Sequence, residues 1–172
     1  MKNKNLWTIK ITIMTFFISF IFSLSSELVM PKVNIAISIL ILVLFIFIGI
    51  IFDMIGVAVT TCDIKPFHSM GSKKIYYAKT GIKLITNSAK VSSFCNDVIG
   101  DICGIISGSA GVIISSTISN SLGANSFIVS LITTAIIASI TIGGKSLGKS
   151  IAINNSTKIV IMFSKLINKF YK

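Results

Sequence analysis

The stretch VNIAISILILVLFIFIGIIFDMIGVAVTT, residues 33–61, decides the fold. Asp53 is its one charged residue, set among apolar and small side chains. A bilayer core of roughly 30 Å needs about 20 helical residues per crossing, so this run predicts a membrane-spanning helix with length to spare. The excess allows tilt or a non-ideal turn around Asp53 and Gly56. Three further apolar segments lie outward from it: about Leu6 to Leu24, about Val91 to Ser119, and Ser126 to about Ile142 after the turn-like residues 120–125. Composition agrees. The 172 residues are 53% hydrophobic and 12% charged, with a mean hydropathy of +0.91, and the charged share is about half that of a soluble domain. A typical soluble enzyme is excluded and no enzymatic activity is expected. The sequence predicts an all-α, polytopic membrane protein with about four transmembrane helices.

The net charge is +11, and all the basic residues are lysines. Lys2, Lys4 and Lys10 lie at the amino-terminal side, and Lys65, Lys73, Lys74, Lys79, Lys83 and Lys90 fill the loop between the second and third segments. Six more run from Lys145 to Lys172, while the opposite turns hold only Lys32 and Glu27. Cytoplasmic loops retain positive charge, so both termini and the central basic loop are expected in the cytoplasm, in a multi-pass protein of the cell membrane. Lys2, Lys4, the apolar run Ile11 to Phe22 and the small-residue end Ser23-Leu24-Ser25 also fit a signal peptide. Its removal would leave three crossings and an external amino terminus, with every later orientation unchanged.

From Ser156 to Lys172, Lys158, Lys165, Lys169 and Lys172 share a helical face beside Ile159, Met162, Phe163, Leu166, Ile167 and Phe170. This predicts a basic amphipathic helix on the anionic leaflet, with the lipid bilayer as its partner and no nucleic acid. By composition the chain divides into 1–32 (first helix and external loop), 33–155 (transmembrane domain) and 156–172 (surface helix). Cys62, Cys95 and Cys103 show no CxxC spacing and are read as small buried residues, and His68 as a loop imidazole without a metal partner. Gly100, Gly104 and Gly108, with Ser107 and Gly111 beside them, mark a helix-packing face, either within the chain or in a dimer.

Acidic groups at membrane depth require a partner, a cavity or a cation. Asp53 lies in the second segment and Asp97 and Asp101 in the third, with Asn96 adjacent. Carboxylate and amide oxygens suit hard cations such as magnesium. Asp97 is read as an interfacial cap or local pair, Asp53 and Asp101 as a metal site. Residues 143–150, GGKSLGKS, satisfy the P-loop pattern GxxxxGK[ST]. A P-loop, however, is the turn of a parallel α/β sheet, and no set of strands accompanies it.

Residues 144–155, GKSLGKSIAINN, are similar to the motif GE(I/L)(I/L)PKxxAxxN of the CNNM/CorB/CorC magnesium transporters, matching at Gly144, Lys149, Ala152 and Asn155. Residues 52–61, FDMIGVAVTT, resemble the family's FSxxExAxxS segment, and Ile99-Gly100-Asp101 resembles its IGN. The resemblance spans about Val33 to Lys172. It implies a dimer of three-helix units, each binding magnesium through the Ser, Asn and Glu of these motifs. Those positions fall on Asp53, Asp101 and Lys145, so two neutral ligands have become carboxylates and the anionic one a lysine. The family's Glu in FSxxE is Gly56 here and its Pro is Gly148. An ammonium has three donors and one positive charge, so Lys145 is placed to occupy the site of Asp53 and Asp101 as a tethered cation. The expected function is divalent cation transport or homeostasis with magnesium as the ion. The alternative is a non-transporting membrane interaction or regulatory protein in which Lys145 replaces the ion. The family's nucleotide-binding CBS modules have no counterpart after the motif, so no nucleotide is expected. The expected assembly is a homodimer, or a form that needs a separate soluble regulatory subunit.

Overall fold

We describe residues 2–29 and 32–170 of a computed structural model, leaving aside the side chains of residues 2–5, 29 and 170. Lys172, which figures in the surface-helix reading above, lies outside the described residues. No strand occurs among those described. The helices are α1 (Lys2–Val29), α2 (Ile35–Thr61), α3 (Lys65–Ser72), α4 (Ala78–Thr86), α5 (Ser88–Ser92), α6 (Asp101–Leu122), α7 (Ser126–Asn154) and α8 (Ser156–Phe170). A π-helical stretch, Ser93–Gly100, joins α5 to α6. Four segments are long and apolar enough to cross a bilayer: Leu6–Leu28, Ile35–Thr61, Ser88–Leu122 and Ser126–Asn154. The chain is an all-α, multi-pass membrane protein. Large side chains such as Phe16, Leu40, Phe47, Phe127 and Ile142 are well exposed along these helices, which lipid tolerates and water does not.

The chain divides into two compact units. The first comprises Met1–Gly49 and Val98–Gly143. Its centre is α6, which buries Ile102, Ile106, Ala110 and Ile114 and packs against α1. Lipid offers no hydrogen bonds, so hydroxyls here turn back on their own helix. Ser107 donates to the Cys103 carbonyl at 2.7 Å and Ser115 to that of Val112 at 2.8 Å. Gly123 ends α6 in the left-handed region at φ 62°, and the Asn125 side chain then accepts from Phe127 N–H at 3.0 Å to start α7.

The second unit comprises Ile50–Asp97 and Gly144–Lys172. Its core joins Ala58, Val59, Cys62, Phe67, Ala152 and Val160. Asp63 accepts from Lys65 N–H at 3.0 Å and Pro66 follows in the first turn, which fixes the start of α3. Helix α4 packs on α3 and on α8. Gly81 makes this possible, because a Cβ there would strike the fully buried Phe67 ring. The Lys165 ammonium lies 5.0 Å from the centre of the Tyr77 ring, and Thr80 donates to Asn168 Oδ1 at 3.1 Å. Helix α8 is thus both docked and amphipathic. Val160 and Ser164 are buried, while Met162, Leu166 and its lysines stay exposed.

Three sequence expectations change. The fourth apolar segment does not stop near Ile142, since α7 runs unbroken to Asn154 and carries Lys145 and Lys149 within it. The P-loop residues are accordingly helical, and the strand and turn that a P-loop requires are absent. Of the packing glycines in α6, Gly111 is buried and a Cβ there would strike Ile137 of α7, so the face does pack at that point, but not along its whole length. A Cβ at Gly104 or Gly108 would meet nothing within 4 Å, whereas at Gly148 it would lie 2.9 Å from Met54 Cγ, and at Gly144 it would strike Ile50. His68 is exposed on α3 rather than in a loop, and all three cysteines are buried. We expect Gly81→Ala to lower stability by about 1–3 kcal/mol through overpacking against Phe67. Gly104→Ala, in open space, should leave it unchanged or raise it by up to about 1 kcal/mol. Thermal unfolding of the two variants in one detergent checks the contrast.

Candidate cation site

Helix α2 carries Asp53 three residues before Gly56, so both lie on one face. The carboxylate is buried, with 4% of the residue exposed. Its Oδ2 has no hydrogen-bond partner, and the Lys149 ammonium stands 3.8 Å away, beyond hydrogen-bonding reach. The interaction is therefore a charge pair without a hydrogen bond. Lys149 reaches it from α7 with its side chain half-exposed. The approach depends on small residues. Gly144, Gly148 and Ala152 recur every four residues on α7, and the two glycines admit Ile50 and Met54 of α2 against bare backbone.

A second buried side-chain oxygen, that of Asn96, lies over Gly56, one turn along α2 from Asp53. Its amide covers Gly56 so closely that any Cβ there would overlap it. Asn96 Nδ2 donates to Ser92 Oγ at 3.3 Å, while Oδ1 is buried and has no hydrogen-bond partner. Asn96 belongs to the π-helical stretch, whose wider turn changes the direction of side chains relative to an α-helix. Such stretches recur at functional positions. A buried carboxylate oxygen and a buried amide oxygen, neither engaged by a donor, match the preference of a hard cation.

Asp101 is exposed in the first turn of α6, in the first unit, and Asp97 is exposed in the π-helical stretch. Lys145 is half-buried on α7, one turn before Lys149. No group of three or more His, Cys, Asp or Glu side chains able to hold a metal occurs among the described residues. Sequence reasoning identified Asp53 and missed Lys149 as its partner and Asn96 as the residue over Gly56. The available signal was Gly144-x3-Gly148-x3-Ala152, which puts Lys145 and Lys149 beside one close-packed seam. Just beyond α2, Cys62 donates to Thr157 Oγ1 at 3.8 Å, and burial pushes its thiol above the ordinary value despite the hydroxyls of Thr157 and Ser156.

Comparison of the chain with protein-family models, curated proteins and solved structures returned no match.

The charge pair makes a coupled expectation. Lys149→Met leaves a buried carboxylate without its counter-charge and should cost about 1–2 kcal/mol, reduced from the fully buried case because the lysine is half-exposed. In an Asp53→Asn background the same change should cost little. Unfolding of wild type, both single variants and the double variant measures the coupling, and equal losses in the two backgrounds would show none.

Proposed function

We propose that this protein binds a divalent cation at Asp53 and takes part in magnesium transport or homeostasis, as its resemblance to the CNNM/CorB/CorC transmembrane domain implies. One observation carries the reading: a buried carboxylate inside an apolar span whose Oδ2 faces an ammonium without hydrogen-bonding it. A magnesium ion would satisfy that oxygen at about 2.0–2.1 Å, with waters completing its octahedron. Asn96 Oδ1, buried without a hydrogen-bond partner over Gly56, would serve as a second ligand directly or through such a water. Magnesium is then cargo, and Lys149 its competitor. Asp101 and Lys145 enter as the positions corresponding to the remaining family ligands. A homodimer or a separate soluble subunit completes the assembly, and the lysine-rich loop and both termini face the cytoplasm.

A second reading has the same geometric support. In it the lysine permanently fills the cation's place, and the protein is a membrane-embedded partner or regulator without flux. The ammonium already beside Asp53 favours it.

Magnesium titration of the purified full chain, followed by thermal unfolding, tests both. A ligand that binds the folded state raises its stability by about 2.7 kcal/mol at a hundredfold excess over Kd. We expect stabilisation in wild type, a stronger response in Lys149→Met, and loss in Asp53→Asn. Asp101→Asn and Lys145→Glu report on the other two positions. Retention of the full response in Asp53→Asn would remove the site. Silence in wild type with a response in Lys149→Met would select the regulatory reading. Orientation is checked by single cysteines in a chain otherwise free of them: a membrane-impermeant maleimide should label Ser121→Cys on intact cells and Ser72→Cys only after permeabilisation.

A further inference from the structure

In the second unit a half-open cleft of about 550 Å³ lies between α4, α5 and α8. Lys83, Asn87 and Lys90 line one side at spacings of four and three residues, and Leu84, Val91 and Ile167 line its apolar part. No carboxylate lines it. The unit as a whole carries twelve of the sixteen lysines and three aspartates, so its field is strongly positive. The wall opposite Lys83 is firmly held, because Thr80 donates to Asn168 Oδ1 and Asn168 Nδ2 donates to the Ser164 carbonyl at 2.9 Å. Asn87 Nδ2 is likewise committed to the Lys83 carbonyl at 2.9 Å, and the cleft's positive charge comes from Lys83 and Lys90.

Position distinguishes the occupant. The third membrane-spanning segment begins at Ser88, so Lys90 and Val91 lie in its first turn and Lys83 just outside it. That is the level at which a helix leaves hydrocarbon for headgroups. A free inorganic anion would use the lysines and leave Leu84, Val91 and Ile167 wet. A ligand with phosphate at one end and hydrocarbon at the other uses both parts. We infer that this cleft binds the phosphate headgroup of an anionic phospholipid, with the start of its acyl chains against Leu84, Val91 and Ile167. Helix α8 closes one side of the cleft, so the lipid also fastens α8 to α4 and α5.

The test uses the full chain in a neutral detergent, titrated with dioctanoyl phosphatidylglycerol, dioctanoyl phosphatidylcholine or inorganic phosphate and followed by thermal unfolding. Phosphatidylglycerol should raise the midpoint saturably, while phosphatidylcholine and phosphate at equal concentration should not. Each lysine near an anionic lipid surface adds a severalfold gain in affinity, so Lys83→Gln with Lys90→Gln should weaken the apparent affinity roughly tenfold to thirtyfold. The exposed pair Lys65→Gln and Lys73→Gln, which removes equal charge away from the cleft, should weaken it less than twofold. Both double variants are compared at matched unliganded midpoints, and single Lys83→Gln serves if the pair lowers its midpoint. An equal rise with phosphatidylcholine, an equal rise with inorganic phosphate, or equal weakening by the two double variants would each overturn the inference.

Discussion

An ionised carboxylate within an apolar helix is the constraint that organises the second unit. Removing a charge from water is costly in a low-dielectric medium, and the cost is recovered only when an opposite charge or a cation comes close. Asp53 gains such a neighbour through backbone proximity. Two glycines one turn apart on α7 let it lie against Ile50 and Met54, and the lysine next to the second glycine then arrives beside Asp53. Gly56 plays the matching part on α2 by making room for the Asn96 amide. A methyl group at any of these positions would push a polar partner or a helix away from the carboxylate. The glycines therefore act electrostatically through packing.

Each unit solves the polar-group problem differently. The first holds few charges and many hydroxyls, and Ser107, Ser115 and Ser119 all donate to carbonyls in or just after their own helix. This needs no partner from another helix and leaves large apolar side chains free to meet lipid. The second uses interactions between elements distant in sequence: the Asp53–Lys149 pair, Thr80 to Asn168, Cys62 to Thr157, and Lys165 over Tyr77. Its short helices α3 and α4 have too few turns to be stable alone and draw their stability from Phe67 packed against Gly81 and from the face of α8 centred on Val160 and Ser164. Chemistry that depends on ionised groups is concentrated here for that reason.

Much of this was legible in the sequence. Runs long enough to span a bilayer, lysines clustered between or near the ends of them, and one aspartate inside residues 33–61 led to the helices and singled out Asp53. What stayed hidden depended on exact helical phase. The fourth apolar segment was read as ending near Ile142, and the family motif over residues 144–155 put Lys145 at the ligand position. Because α7 continues as a helix, Lys149 one turn later reaches Asp53. The P-loop match has the same origin: Gly148 and Lys149 satisfy the pattern because one packs on α2 and the other pairs with its carboxylate. The Gly100, Gly104 and Gly108 series shows the reverse case. Its spacing is right for close packing, yet Gly104 and Gly108 meet open space, since four-residue periodicity defines a face without naming what covers it. The π-helical stretch left no local signature, because a one-residue expansion of the turn is set by tertiary fit around Gly56 and Asn96.

On the proposed reading, the balance at Asp53 is a competition between a tethered and a free cation. An ammonium on a side chain of the same unit acts at high effective concentration and needs no dehydration of a divalent ion. Magnesium brings twice the charge and coordinates oxygens that the lysine does not hydrogen-bond. The pair favours neither side strongly, because its separation exceeds a hydrogen bond and half of the lysine side chain is already in contact with its surroundings. A closer, fully buried pair would resist displacement, and an acid without a lysine would bind cations whenever they were present. The observed geometry lies between these limits, so on the proposed reading occupancy would follow cation concentration over a finite range, and the lysine would keep the buried charge compensated when the ion is absent. A transporter needs a site that can be vacated without leaving a bare carboxylate in hydrocarbon, and a regulator needs one that distinguishes two ion levels. Both requirements would be served by a lysine that can leave, so the proposed function turns on the length of the Asp53–Lys149 contact more than on the number of acids in the chain.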